Sequence, residues 1–588
     1  MRIRFTERAG KRMVAAFFAL LLMGGLLIAG DYGVSWDERT ETEILVSNMQ
    51  YAAQKLLPNS MVNQHLTPVM NMFYYERVLN APPSLVQYVE RDHGQAVYYP
   101  AAAFFFAIYK LKQTDPSLSV EHSLYLARHI YNFIICFSGW ILLYLLAKKI
   151  TGRRLYGLLC VAFAVLSPRF FADSFYNNKD MIAFITCIWM MYAVYRFFEK
   201  QSILSAIAAG VVSAFAINTR VSLALFLVLA VIYFIAVQIK TREFGLRSLG
   251  CIAAALVSVA LTYYIITPAA WKDPVGLLKY VLGNAAYFSR WDGYVYYFGK
   301  VYHPSQIRLP WHYLPVMIAV TTPVLILFLL LIGLFRLLKE HQKIKELQLY
   351  SGYGFVLLAA VFSLISLAVP IVLKSNVYNG WRHLYYIYAG FLLLAVWGIQ
   401  WLLGVRKKWV RIAAALCLVL QLGSAAVWMV VNHPYQYVYY NVLAGSHPEE
   451  RFELDYWNTS QSRLIKRALA ENEGKKVCVF YSTTYCATIE YADFLLTDEE
   501  RSRLKLYNLD SLQGTSPTYL RNNPAYLVIN PTTAKKMHMW GWPLYLDADQ
   551  TVYTNLKPVY EVAVNGSSIQ QLYRLNEQQV LYLMETHQ

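Results

Sequence analysis

Apolar and polar positions along this chain of 588 residues fall into long blocks, not into short alternating ones, as far as about residue 432. A helix that crosses a bilayer takes about 20 mostly apolar residues. Stretches of that kind stand at 13–30, 129–148, 155–168, 180–197, 203–218, 221–239, 248–268, 313–335, 351–373, 383–404 and 410–432, so the pattern predicts about eleven spans. The run at 155–168 is short for a span. Beyond residue 432 the pattern changes to short β-rich runs at 476–482, 525–530 and 559–564, separated by helical stretches at 463–472 and 497–505. That alternation predicts a small α/β domain. The expected organisation is a membrane domain over 1–432 and a soluble domain over 433–588.

Basic residues sharpen this picture. They cluster at Arg2/Arg4/Arg8/Lys11/Arg12, Lys148/Lys149/Arg153/Arg154, Arg196/Lys200, Lys240/Arg242/Arg247, Arg336/Lys339/Lys343/Lys345 and Arg406/Lys407/Lys408/Arg411, which are alternate connections. Connections rich in Lys and Arg stay in the cytoplasm. Eleven spans then place the amino terminus inside and the carboxyl terminus outside a cell membrane, expected to be a bacterial cytoplasmic membrane. The first apolar stretch ends in Gly30-Asp31 and fits an uncleaved anchor better than a signal peptide. The connections left outside are a long loop (31–128), a short one (168–180), an aromatic one (269–312), another short one (374–382) and the tail. Within the long loop, 96–112 is apolar and aromatic, and at that length it predicts an interfacial helix.

Composition agrees. Only 15% of the residues are charged, against about 25% in soluble domains. The net charge of +17 would point to nucleic acid in a soluble protein. Here the charge sits between apolar runs, and the tail is slightly acidic, which excludes that partner and leaves the bilayer. Five cysteines (Cys136, Cys160, Cys187, Cys251, Cys417) lie inside apolar segments. Cys478 and Cys486 fall in the tail and would be free to pair if it is extracytoplasmic.

Four groups of residues carry candidate chemistry. Asp37 and Glu38, in Ser35-Trp36-Asp37-Glu38-Arg39, follow the first span and could take a proton from a hydroxyl; the plain alternative is a helix start near Thr40. Asp180, in Asn177-Asn178-Lys179-Asp180, stands at the lip of a span, where an ionised carboxylate needs a cation or a polar cavity. It could equally stabilise a helix amino terminus. Arg128, Arg220, Lys374 and Arg382 lie at the outer ends of spans, the wrong side for orientation signals. Arginine grips phosphate oxygens through two N–H groups at once, although head-group anchoring by long side chains is the alternative. Trp291, Tyr294 and Trp311 belong to an aromatic loop that would serve as a lid over a substrate.

Together these motifs resemble the GT-C superfamily of membrane glycosyltransferases, in the branch of protein O-mannosyltransferases and aminoarabinose transferases (glycosyltransferase family 39). The resemblance rests on Asp37-Glu38 after the first span, Ala127-Arg128 at the second and Asn177-Asn178-Lys179-Asp180 at the fourth, and extends over about residues 1–400. Thr219-Arg220 stands where many relatives carry Thr-Lys, a departure that keeps the charge. The segments His433–Asn441 and Phe452–Trp457 look like a signature of bacterial members and say little about substrate.

The resemblance implies a sugar carried on polyprenyl phosphate and its inverting transfer, outside the cytoplasm, to a glycolipid, glycan or protein hydroxyl. Asp37 would then be the base, with Glu38 in support. Asp180 would orient the acceptor, a metal or a neighbouring cation. Arg128, Arg220, Arg382 and Lys179 would hold the donor phosphate. A divalent metal, if one is used, would fall to Asp37 and Asp180. Two other classes compete: a transporter or lipid flippase, and a non-catalytic assembly or sensor protein. Transporters place polar sites near mid-membrane on broken helices, often in inverted repeats, whereas the charged residues here gather at span ends and no repeat is evident.

Overall fold

The computed structural model describes residues 7–59, 85–115, 119–287, 291, 293–303, 306–486, 489–511, 523–539 and 556–586. Arg2, Arg4 and part of the long loop lie outside the described residues. Each of the eleven apolar stretches is helical over most of its length. The helices are α1 (Glu7–Ile28), α2 (Glu38–Leu56), α3 (Ala102–Thr114), α4 (Val120–Thr151), α5 (Arg154–Val165), α6 (Pro168–Tyr176), α7 (Asp180–Lys200), α8 (Ile203–Thr219), α9 (Ala224–Lys240) and α10 (Leu246–Ile266). They continue with α11 (Pro274–Tyr287), α12 (Tyr313–Thr321), α13 (Val324–Lys339), α14 (Gly352–Val372), α15 (Tyr388–Gly404) and α16 (Lys408–Val431). Among the described residues eight helices are long and apolar enough to cross a membrane, or ten if each of two bent pairs counts as one; α8 is a shorter apolar helix. The stretch at 96–112 is a 3₁₀ turn (Ala96–Ala101) running into α3.

Two of the expected spans are not straight. α5 and α6 meet at 72°, and α12 and α13 at 118°. Both breaks fall at an X-Pro step. Proline disfavours helical backbone at the residue before it, and Ser167 (φ −91°, ψ 103°) and Thr322 (φ −98°, ψ 139°) are accordingly extended. Hydropathy averages across such a step and cannot show it. At the second break Asn441 supplies the missing pairings: its side-chain amide donates to the carbonyls of Ala319 and Thr322, both at 2.6 Å, and its backbone N–H donates to Val320 at 2.8 Å.

The helices are unequally enclosed. In α7 and in the helix starting at Arg382, 78% and 72% of the apolar window is buried, against 17% in α1, 11% in α10 and 17% in α16. Bare glycine surfaces bring α13 and α15 together: a Cβ on Gly333 would lie 2.0 Å from the Leu394 carbonyl, and one on Gly398 2.3 Å from that of Leu329.

After α16 the chain forms α17 (Gln461–Ala470) and a mixed five-stranded sheet. Two short strands, β1 (Val295–Tyr297) and β2 (Lys300–Tyr302), form a hairpin in the aromatic loop. The tail sheet comprises β3 (Val477–Tyr481), β4 (Leu504–Asn508), β5 (Ala525–Ile529), β6 (Tyr560–Val564) and β7 (Ser567–Leu575), in the order β4-β3-β5-β7-β6. Helices α18 (Asp498–Arg503), α19 (Pro531–Met539) and α20 (Glu577–Thr586) complete it. The helix expected over 497–505 stops at Arg503, where the alternating Leu504-Lys505-Leu506-Tyr507 starts a strand, and β7 is an addition to the expected strands. Cys478 and Cys486 are both free. Cys478 packs with Phe480 and Tyr507, whereas Cys486 belongs to the main core. The chain is a polytopic helical membrane protein with a small carboxyl-terminal α/β region.

The segment between α16 and β3 is packed against the turn that follows α1. Tyr32 donates to Gln436 (3.2 Å), the Trp36 N–H donates to the Trp457 carbonyl (3.2 Å), and His433 Nε2 lies 2.8 Å from Asp31. A Cβ on Gly33 would lie 1.9 Å from the Thr459 carbonyl oxygen. Overpacking of this kind costs about 1–3 kcal/mol. Gly33→Ala is therefore expected to lower the melting temperature of detergent-purified protein; an unchanged temperature would show that the contact gives way freely.

Candidate active site

Asp37 sits at the amino-terminal cap of α2. Neighbours on a helix point about 100° apart, and Glu38 accordingly turns elsewhere. Its carboxylate is fully buried, accepts the Ser35 N–H at 2.5 Å and lies 2.9 Å from His129 Nε2. The expected carboxylate pair is thus one site group, Asp37, and one group that ties the turn to α4.

Asp180 is the first residue of α7, where the positive end of the helix dipole favours its charge. The hydrogen-bonding cap, however, is Asn177, whose Oδ1 accepts the N–H groups of Asp180 (2.9 Å) and Lys179 (3.3 Å). The Asp180 side chain is left for other partners.

Those partners are arginines. Arg382 Nη1 donates to Asp37 Oδ2 at 2.7 Å and lies 3.5 Å from Asp180 Oδ2, so one nitrogen joins both carboxylates. Arg220 donates through Nη2 to Asp180 Oδ1 and through Nη1 to the His383 carbonyl, the latter at 2.8 Å. Lys179 Nζ lies 3.0 Å from His93 Nδ1 and 3.7 Å from a carboxylate oxygen of Glu41, which is itself buried and accepts from Gln95. Burial alone would raise the Asp37 pKa. The Arg382 and Lys179 charges outweigh it and hold the carboxyl below its ordinary value.

Beside these groups is a cavity of about 410 Å³, lined by Lys179, Arg220 and His383 but not by Asp37, Asp180 or Arg382 themselves. Its polar wall is Lys179, Arg220, His93, Asp92 and His383, and its apolar wall is Leu225, Val281, Val369 and Leu373. Val369 and Leu373 are exposed at 45% and 40%, which carries the apolar wall to the outer surface of the bundle. The arrangement fits a molecule with an anionic head and an aliphatic body.

Arg128 does not line this cavity. It is buried on α4, where it donates to the Thr42 hydroxyl and stands 4.0 Å from Glu38. The aromatic residues divide. Trp291 and Trp311 line a second groove of about 240 Å³, which shares Pro370, Ser375, Asn376 and Val377 with the first cavity. Trp291 stacks on Tyr378 at 4.1 Å. Tyr294 is outside both linings, with its ring 4.8 Å from that of His303. Ser289, Arg290 and Asp292 of this loop lie outside the described residues.

Asp37 and Asp180 are held by guanidinium N–H groups, so a metal on them would have to displace Arg382. Among the described residues, the group whose ligand atoms could hold a metal is Glu90, Asp92 and His93, all within 4.8 Å of one another. Sequence reading singled out neither these three nor Glu41 and Asn379, and it met Trp457 only as the last residue of the Phe452–Trp457 signature, with no role at the site. Only Glu41, one helical turn after Asp37, carried a local signal in its spacing.

Residues 117–266 match the family model of dolichyl-phosphate-mannose-protein mannosyltransferase. No curated protein matches the chain. Two solved structures of ArnT from Cupriavidus metallidurans align over nearly the whole length. The one bound to undecaprenyl phosphate does so at 14% identity and a TM-score of 0.40, covering 95% of this chain and 97% of that one. The apo form aligns at 13% identity and a TM-score of 0.39, covering 96% and 99%. The stretch that carries Arg128, Lys179, Asp180 and Arg220 is the stretch the family model matches, and over that quarter of its length the chain is similar to the protein mannosyltransferases.

Proposed function

We propose that the protein moves a sugar from a polyprenyl-phosphate carrier to a hydroxyl of an extracytoplasmic acceptor, with inversion at the anomeric carbon. The observation that carries this reading is the meeting of Asp37 and Asp180 on one Arg382 nitrogen beside a cavity with a basic wall and an aliphatic wall. Arg220 and Lys179 would hold the phosphate, and the apolar wall would take the first isoprene units. Asp37 would accept the proton as the acceptor oxygen attacks. The bond from the anomeric carbon to the phosphate oxygen breaks in the same displacement, and polyprenyl phosphate leaves with the electron pair. A phosphate leaves as a stable anion, so no general acid is required, in contrast to glycoside hydrolysis. The cations balance its growing charge. Asp180 would hold Arg220 and Arg382 in place. The basic clusters in alternate connections support an extracytoplasmic site.

The test is mass spectrometry of envelope lipids and glycans from cells with and without the gene. Loss of one sugar from one species, with its polyprenyl-phosphate donor accumulating, is expected. Identical profiles, or lipid flipping by the purified protein in liposomes with no sugar transferred, would overturn the proposal.

A further inference from the structure

The motif Phe452–Trp457 belongs to the tail, yet it reaches the centre of the site. Trp457 is 1% exposed, and its ring lies 4.5 Å from the Arg382 guanidinium carbon. Tyr378 packs against the same guanidinium at 4.8 Å. The Trp457 indole N–H donates to Asp173 Oδ1 at 3.1 Å, which fixes the ring plane, and its carbonyl accepts from Trp36, the residue before Asp37. One tail residue therefore touches Arg382 and the backbone of the residue that precedes Asp37.

A second route runs through Asn379. Arg382 Nη2 donates to Asn379 Oδ1 at 3.3 Å, and Asn379 Nδ2 donates to Glu453 Oε2 at 2.9 Å. Glu453 Oε1 in turn accepts from Lys536 of α19 at 2.5 Å. Asn379 has φ +51°, a left-handed conformation that asparagine tolerates. Among the described residues the Arg382 Nε–H has no acceptor. Apart from the carboxylates it serves, the guanidinium is oriented by two aromatic faces and by one amide whose own direction Glu453 sets.

We propose that Trp457 and Glu453 are positioning residues for Arg382, so that the tail is a working part of the active site. The inference rests on the glycosyl-transfer reading of Asp37 and Arg382. A long, flexible arginine holds one geometry only where its surroundings impose it. A displacement of about 1 Å at a reacting group costs about a hundred-fold in rate.

The experiment uses full-length protein in detergent. Turnover is measured as polyprenyl phosphate released from the cell's own lipid extract across pH, alongside the melting temperature and the infrared titration of the Asp37 carboxyl, with Asp37→Asn as blank. The groups facing Asp37 are Arg382, Asp180, Lys179, His93 and Tyr378, and all remain in every other variant. Trp457→Leu and Glu453→Ala are expected to lower kcat by about ten-fold to a hundred-fold with the donor KM little changed. Both should also move the acid limb of the rate profile and the Asp37 titration to higher pH. Trp457→Phe keeps an aromatic face and Glu453→Gln keeps an acceptor for Asn379, so both should retain most of the activity. Variants that melt earlier but keep the wild-type kcat and acid limb would show that the tail only packs, and would overturn the inference. If wild-type protein releases no polyprenyl phosphate, the glycosyl-transfer reading fails. The infrared titration still decides the positioning claim, and an Asp37 titration unmoved in Trp457→Leu and Glu453→Ala overturns it.

Discussion

Asp37→Asn is expected to abolish sugar transfer while the protein still inserts and folds. The asparagine side chain is nearly isosteric and its Oδ1 can still accept from Arg382, which now makes its bond to Asp37 at 2.7 Å. What it cannot do is take a proton. A positioned base contributes about 10²–10⁴ in rate, so the variant should fall by at least that factor. Asp180→Asn should also lose transfer, through misplacement of Arg220 and Arg382. The pH dependence has a definite sign. Because Arg382 and Lys179 hold the Asp37 pKa below its ordinary value against the effect of burial, the base stays ionised as pH falls through the usual carboxylate range. Transfer should then decline only below that range, through the depressed pKa. The pair's contribution to stability follows the same course: present above the unfolded pKa, lost as pH falls through the folded one. Wild-type turnover by Asp37→Asn, or an acid limb above the usual carboxylate range, would remove Asp37 from the proposed role.

Arg382→Gln is expected to be the most destabilising single change in the site. Arg382 is 4% exposed and is the group that bridges Asp37 and Asp180. Removing one partner of a fully buried ion pair costs about 3–5 kcal/mol, because the other charge is left uncompensated; the Asp37 side chain is 26% exposed, so water screens part of this and the loss should fall below that range. Asp180 keeps Arg220, but Asp37 loses its nearest cation. The measurement is thermal unfolding in detergent, with transfer assayed on the folded fraction. Combining Arg382→Gln with Asp37→Asn should restore part of the lost stability without restoring transfer, since it removes the unpaired charge. Arg382→Lys keeps a charge but not the fork that reaches Asp37 and Asn379 together, and should fall between. A strictly additive double variant would mean that water already screens the pair.

The spans were legible where an apolar run is long and unbroken, as in the eight helices long enough to cross a membrane, because lipid leaves backbone groups no partner but the helix itself. The bends at Ser167-Pro168 and Thr322-Pro323 were written in the sequence as proline steps, but a hydropathy average passes over them. The tail was legible where a strand was purely β-rich, as in Val477–Tyr481, and misread where the helix of Asp498–Arg503 gives way to a strand without a turn residue. In the site, Asp37, Asp180, Arg220 and Arg382 stand together, as their shared position at span ends suggested. Glu38 does not, because neighbours in a helix face different ways, and Arg128 does not, because Thr42 and Glu38 hold it inside the bundle. Asn379 and Trp457 were hidden for another reason. Trp457 lies 75 positions from its partner Arg382, and nothing local marks a side chain whose role is to hold a distant one.

The unequal enclosure of the helices has a consequence of its own. Bilayers differ in thickness, and a helix that meets lipid adjusts by tilting or by moving its flanking residues. Here that adjustment falls on the periphery, on α1, α10 and α16, while α7 and the helix starting at Arg382 are walled off from acyl chains by protein. The outer helices of the bundle can lean to suit the host membrane while the inner helices that carry Asp180 and Arg382 keep their spacing.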